Sequence, residues 1–135
     1  MKTFQLFLEH PNETVDAVPV TRYLAQAPQI QYQRLIPQIL EDIKQNRILL
    51  VPDVVQLTRL IPTQYNVSRP KVERYLHINL SSEKPAVVMP VGPEYIIVDG
   101  HHRLCGEVLK GIVFSTVWCI STEDAAKYLV SSVDK

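Results

Sequence analysis

The apolar and polar positions of the chain fall into short patterned segments that predict alternating strands and helices. TFQLFL (3–8) alternates polar and apolar residues, which is typical of a strand. Over residues 30–46 the apolar side chains recur at three- and four-residue spacing, which predicts an amphipathic helix that Pro37 either kinks or starts. A second helix is predicted over 68–77, with Ser68 as a suitable N-cap.

The patterns of the remaining segments predict the main strands of a sheet and two more helices. Five extended runs are RILLVP (47–52), DVVQLTRLIP (53–62), PAVVMPV (85–91), EYIIVD (94–99) and IVFSTVWCI (112–120). A tight Gly92-Pro93 turn is predicted to join the third run to the fourth. Helices are expected over 101–110, ending near Gly111, and over 121–129, opened by a capping box of Ser121 and Asp124. We therefore expect an α+β protein with one mixed sheet and a few flanking helices.

Composition narrows the class of protein. The 135 residues are 46% hydrophobic and 21% charged, and 14 basic residues balance 14 acidic ones. A dominant DNA-wrapping or membrane-surface role needs excess basic charge, so this balance argues against both. Two cysteines and short apolar runs exclude a disulfide scaffold and predict no transmembrane helix or signal peptide. We expect a cytoplasmic chain with reduced thiols.

The segment YIIVDGHHRLCGEVLKG (95–111) carries the candidate chemistry. A strand ends in Asp99-Gly100, and a helix begins with His101, His102 and Arg103. The first amides of a helix lack internal partners and attract anions, whereas cations there cost about 0.3–1 kcal/mol when charged. A bound phosphate, held by Arg103 through two parallel hydrogen bonds, would offset that cost. The alternative is a polar turn with surface histidines and an Arg103–Glu107 pair.

A metal site is the rival use of these residues. His101 and Cys105 stand four positions apart and share a helix face, but no second ligand pair follows at zinc-like spacing. Cys105 is more typical of a small core residue, and Cys119 belongs to a strand. We predict no metal site.

The order of motifs resembles the ParB/sulfiredoxin superfamily, in the DGHHR form found in free-serine kinases. Asp99-Gly100-His101-His102-Arg103-Leu104 is similar to the family signature, and the flanking segments follow the family order over residues 51–120. The resemblance implies a ParB/sulfiredoxin-like domain over 47–135. Residues 1–46 are then an N-terminal strand-and-helix extension packed on that domain.

The same resemblance implies a site for nucleotide phosphates, with ATP or another nucleotide and Mg²⁺ as cofactors. The positions that match the family's binding residues are Gly100, His101, His102 and Arg103, with Asp99 nearby and Thr63 and Gln64 in a loop facing the same cleft. The base that is recognised is left open.

Members of this superfamily have several different activities. Sulfiredoxins carry a cysteine where this chain has His101, so sulfinic acid reduction is not expected. Partition proteins add a helix-turn-helix domain that this sequence does not show, and no metal-dependent nuclease site is evident. The kinases carry a catalytic glutamate where this chain has Gln64, which cannot accept a proton. Gln64 and His101 are the catalytic candidates. Glu73, Glu94 and Glu107 are nearby in sequence as alternative bases, and the sequence gives no reason to choose among them.

Two function classes therefore remain. One is a nucleotide-dependent phosphotransferase or hydrolase acting on a small molecule. The other is a nucleotide-sensing module, ParB-like in character, in which the bound nucleotide orders a surface for a protein or DNA partner. The glutamine at position 64 favours the second class. A homodimer and a ParB-like nuclease are left open.

Overall fold

The computed structural model describes residues 16–133, with side chains described as far as Val130. The predicted strand at 3–8 lies outside the described residues. The described part is α+β, as predicted: a mixed sheet of five strands, a separate two-stranded sheet and four α-helices.

The strands are β1 (Ala17–Pro19), β2 (Leu50–Gln56), β3 (Leu60–Ile61), β4 (Asn66–Ser68), β5 (Val87–Val91), β6 (Glu94–Asp99) and β7 (Phe114–Ile120). The five-stranded sheet has the order β2-β7-β5-β6-β3, and β1 pairs with β4 in the small sheet. The predicted β5–β6 hairpin is present. Gly92 turns it with φ of 60°.

Two strand pairs are parallel, and one of them positions the site. β5 lies parallel to β7, and β3 lies parallel to β6 with Leu60 opposite Tyr95. Parallel neighbours run in one direction, so their carboxyl ends meet at the same edge of a sheet. The loop after β3 and the turn after β6 are therefore brought together.

The prediction of two extended segments meeting at 52/53 was wrong. β2 runs across that boundary and pairs with β7 along its whole length, from Leu50 opposite Ile120 to Gln56 opposite Phe114. Pro52 is accommodated because β2 is an edge strand, which needs hydrogen bonds on one side only.

The helices are α1 (Ile36–Lys44), α2 (Arg69–Arg74), α3 (His101–Leu109) and α4 (Thr122–Val133). A 3-10 helix over Ile30–Leu35 precedes α1, so Pro37 starts the regular helix rather than kinking it. α4 opens with the predicted capping box, in which the Asp124 amide donates to Ser121 Oγ at 3.2 Å.

α2 is shorter than predicted. It ends at Arg74 because the next amides bond to carbonyls three residues back, as Tyr75 does to Val72 and His77 to Arg74. The buried face of α3 includes Leu104 and Cys105, which are fully buried, whereas Leu109 is 42% exposed.

The sheet lies between two layers of helix. One face packs on α2 and α3 through residues that include Val72, Val88, Ile97 and Leu104. The other face packs on α1 and α4 through Ile39, Val87, Met89, Ile96 and Ala125. The described part of the predicted 1–46 extension contributes to both clusters, and the domain boundary itself stays a prediction. Within residues 16–133, no helix is long and apolar enough to cross a membrane.

Candidate functional site

A cleft lies at the edge where β3 and β6 both end. Its volume is about 590 Å³. The residues that line it are Gln33, Ile36, Pro37, Thr63, Gln64, Tyr75, Val98, Asp99, Gly100, His101, His102 and Arg103. All seven residues singled out from the sequence as nucleotide ligands therefore share one cavity. The other five lining residues were not anticipated.

Gly100 makes the sharp reversal between β6 and α3. Its φ is +103°, and a Cβ at this position would lie 2.8 Å from Cβ of Ala86. Both the backbone conformation and the close approach to β5 require glycine. Helix α3 begins at the next residue, so its N-terminus opens directly onto the cleft.

The first turn of α3 supplies the donors of the cleft. Gly100 is the N-cap, and no side chain caps the helix. The amides of His101, His102 and Arg103 have no acceptor within the helix, because the first intrahelical bond runs from Leu104 N–H to Gly100 C=O at 3.0 Å. The helix dipole adds partial positive charge at this point. Backbone donors, rather than cationic side chains, make this wall of the cleft attractive to an anion.

His101 is buried and neutral. Its Nε2 accepts the backbone N–H of Thr63 at 3.0 Å, so the neutral ring carries its proton on Nδ1. Burial, with a smaller contribution from His102, lowers the pKa of His101 from 6.5 to about 4. The expectation of surface histidines in the alternative interpretation was wrong for this residue, which is 6% exposed.

His102 makes the same kind of contact one residue later. Its Nε2 accepts the backbone N–H of Ser68 at 3.1 Å. Partial burial lowers its pKa, and the nearby ammonium of Lys71 lowers it further. Two neutral histidines do not oppose the helix dipole, so they carry none of the cost that the sequence argument assigned to them.

Arg103 is bound to the protein itself. Its Nε donates to Glu107 Oε2 at 3.0 Å, in an ion pair whose side chains are 10% and 3% exposed. Its Nη1 donates to the carbonyl oxygens of Leu80, Glu83 and Lys84 at 3.0 to 3.2 Å. The pair with Glu107 is the one predicted under the alternative interpretation. A phosphate held by two parallel bonds from Arg103 would have to displace at least one of these contacts, since each such pair of donors includes Nε or Nη1.

The side chains of the other predicted ligands differ in their burial and in whether they already form a hydrogen bond. Thr63 is buried, and its hydroxyl donates to the Ile97 carbonyl at 2.8 Å. Gln64 donates from Nε2 to the Asn66 carbonyl at 2.7 Å. Asp99 is exposed and is the one carboxylate among the described lining residues. Its side chain is therefore the best placed to meet a ligand hydroxyl.

The carboxylates considered as alternative bases do not line this cleft. Glu107 is paired with Arg103, and neither Glu73 nor Glu94 is among the described lining residues. Residues 16–133 contain no group of three or more His, Cys, Asp and Glu side chains placed to hold a metal ion. Burial raises the pKa of Cys105 to about 12 and that of Cys119 to about 11, so both thiols are protonated near neutral pH.

Four of the five unanticipated lining residues form the apolar part of the cleft. Ile36 and Pro37 come from the start of α1, Tyr75 follows α2, and Val98 belongs to β6. The spacing of residues along the chain does not predict that these residues line one cleft, because their proximity depends on where α1 packs on the sheet. Gly106 contributes indirectly: a Cβ there would lie 2.5 Å from Cβ of Tyr75, so only glycine lets the two segments approach.

Comparison of the chain with protein-family models, curated proteins and solved structures found no significant match. The resemblance to the ParB/sulfiredoxin superfamily therefore stays a prediction from the residues quoted above.

Proposed function

We propose that this protein binds a nucleotide, with the phosphates at the start of α3 and the base against the apolar part of the cleft. The observation that supports this most is the uncapped first turn of α3, which opens onto a cleft of about 590 Å³. Phosphate groups are the commonest ligands of helix N-termini, because several amides and the dipole act on them together.

The shape of the lining supports a nucleotide over a bare phosphate. The polar residues gather at the turn after β6 and in the loop after β3, whereas Ile36, Pro37, Tyr75 and Val98 supply apolar surface in the same cavity. A base packs well on such surface, and stacking on an aromatic ring contributes about 1–3 kcal/mol. Asp99 is then placed to accept a hydrogen bond from a ribose hydroxyl.

Mg²⁺ belongs to this proposal as a partner of the nucleotide. The ion is held mainly by phosphate oxygens and water in nucleotide sites and neutralises phosphate charge there. The backbone amides of α3 then bind the remaining phosphate oxygens. Arg103 supports the site by fixing the segment 80–84 to α3.

Binding without turnover is the better supported of the two function classes. Gln64 cannot take a proton, and Nε2 of His101 already accepts the Thr63 amide. The low pKa of His101, about 4, makes it a weak base. Phosphotransfer is the second candidate, and it rests on Asp99, whose carboxylate lines the cleft.

Calorimetric titration with ATP, ADP, CTP and GTP in the presence of Mg²⁺ tests the proposal. We expect saturable binding of at least one nucleotide. The matched variants are Gln33→Glu, which adds a negative charge to the cleft, and Gln31→Glu, which adds the same charge to an exposed neighbour outside the described lining. A like charge about 4 Å away costs about 1 kcal/mol in bulk water, and Gln33 is exposed, so Gln33→Glu should weaken binding roughly fivefold.

The control, Gln31→Glu, should leave the affinity close to that of the wild type. Equal loss in both variants would place the ligand elsewhere, and no binding of any nucleotide would remove the proposal. Release of ADP or phosphate during the titration, abolished by Asp99→Asn, would instead favour phosphotransfer.

A further inference from the structure

Two consecutive histidines hold the two ends of one loop. Nε2 of His101 accepts the Thr63 amide at 3.0 Å, and Nε2 of His102 accepts the Ser68 amide at 3.1 Å. The segment 63–68 between these amides connects β3 to α2 and contains β4. We call this pair of contacts the histidine latch.

The segment 63–68 has separate anchors on its other side. The Tyr65 carbonyl accepts the Val20 amide at 2.8 Å, and β4 pairs with β1 from Ala17 opposite Ser68 to Pro19 opposite Asn66. These contacts tie the segment to the N-terminal part of the described chain. The histidine latch ties it to α3, and hence to the cleft.

The chemistry of the latch requires neutral rings. A neutral imidazole accepts through one nitrogen, whereas an imidazolium has two donors and no acceptor. Protonating either ring would therefore place N–H against N–H and break the contact. Thr63 is 1% exposed, so its amide would lose its partner in a place that water reaches poorly.

The nearest cation disfavours protonation of the latch, as the geometry of the latch does. Lys71 on α2 shares a small cavity with His102 and lowers the pKa of that ring, whereas the charge of Arg103, next on α3, is paired with Glu107. Asp99 in the turn is the one carboxylate among the described lining residues of the cleft, and it acts the other way. Burial lowers the pKa of both histidines, in agreement with the hydrogen bonds.

We propose that the histidine latch makes anion binding in the cleft depend on deprotonated histidines, so that acid releases the segment 63–68 and weakens binding. The inference rests on the proposed function, since it concerns regulation of the same site. The latch predicts a change of anion affinity with pH that is opposite in sign to the change expected if the histidines bound phosphate directly. Cationic histidines would strengthen anion binding on acidification, whereas the latch weakens it.

Inorganic sulfate is the suitable probe, because its charge stays constant over the pH range used, about 4.5 to 8. We expect its affinity, measured by calorimetry, to be roughly two- to threefold weaker at the acid end of this range, as the protonated fraction of the latch grows. The exposed His77 supplies the control: His77→Gln should keep the wild-type pH profile. Affinity that rises on acidification would overturn the proposal.

Two variants separate the latch from direct binding. His102→Gln keeps an acceptor that does not titrate, and His102→Leu removes it. The latch predicts that the glutamine variant binds sulfate more tightly than the leucine variant and shows a flatter pH profile. Equal loss in both variants would show that the acceptor contact with Ser68 does not matter for binding.

A direct spectroscopic measurement keeps the proposal testable even if the wild type binds no sulfate at any pH. Nitrogen-15 chemical shifts of the two rings should show an unprotonated Nε2 and a protonated Nδ1 at neutral pH. Absence of sulfate binding with this tautomer present would reject the proposed function and leave the latch as a structural contact without a regulatory role. The opposite tautomer, or charged rings, would reject the latch itself.

Discussion

The Nε atom of Arg103 lies 3.0 Å from Oε2 of Glu107, one turn further along α3, and both side chains are almost fully buried. This ion pair changes the role that we assign to the arginine of the DGHHR segment. The sequence left two partners open for this arginine, a phosphate or Glu107, and in the structure Glu107 matches its charge. The proposed binding of anions in the cleft therefore rests on the backbone amides of α3.

We predict that Glu107→Gln destabilises the protein by about 3 kcal/mol, because removing one partner of a buried ion pair leaves an uncompensated charge. Equilibrium unfolding in urea measures the loss. The chain offers a matched control in Arg69 and Glu73, which form an exposed pair of the same spacing at 3.7 Å. Glu73→Gln should cost less than about 1 kcal/mol. Similar losses in the two variants would contradict the burial of the Arg103 pair.

We predict that Gly100→Ala is much more destabilising than Gly92→Ala. Both glycines have positive φ, so both substitutions carry a backbone cost of about 1 kcal/mol. Only at Gly100 would the new Cβ meet a neighbour, at 2.8 Å from Ala86, whereas at Gly92 no atom lies within 4 Å. Overpacking adds about 1–3 kcal/mol, to be measured by urea unfolding. Equal costs would show that β5 does not approach the turn as closely as described.

We predict that stability increases with pH between about 4 and 6.5 because of His101. Its folded-state pKa of about 4 lies below the ordinary value of 6.5, so the unfolded state binds more protons in this window. The full increase in the free energy of unfolding is about 3 kcal/mol. It accumulates as pH rises from 4 to 6.5, and the free energy is constant above that pH. Urea unfolding across this range checks it, and His101→Gln should remove most of the slope. An unchanged slope in that variant would assign the effect to other groups.

We predict that neither thiol reacts with a disulfide reagent near pH 8 in the native protein. Cys105 and Cys119 are buried, and burial raises the pKa of each well above the working pH. The thiolate is the reactive form, so modification should follow global unfolding. Two thiols per chain should become reactive in urea. Rapid modification without denaturant would show that the packing around α3 and β7 opens locally.

The sequence predicted well those elements that short-range chemistry determines. Ser121 and Asp124 cap α4 within one turn, and Gly92 with Pro93 closes the β5–β6 hairpin. The α+β class followed from the same local patterns. β2 was divided wrongly because a proline usually ends a strand, and only the sheet order shows that Pro52 lies on an edge.

The resemblance implied that residues 63–64 and 99–103 face one cleft, and they line one cavity because β3 and β6 are parallel. Their role as ligands stays a prediction. The neutral state of His101 follows from its burial, and the carbonyl partners of Arg103 come from residues 80–84, so both depend on tertiary packing. Ile36 and Tyr75 reach the cleft from other helices, so no local pattern identifies them.

Backbone amide resonances followed during a titration with ATP and Mg²⁺ test the central claim most directly, since the proposed ligands are amides. We predict that the largest shifts, saturating together, occur at His101, His102 and Arg103, with smaller ones at Thr63 and Gln64. Saturating shifts confined to another surface, or no shift at the start of α3 at any nucleotide concentration, would contradict the account.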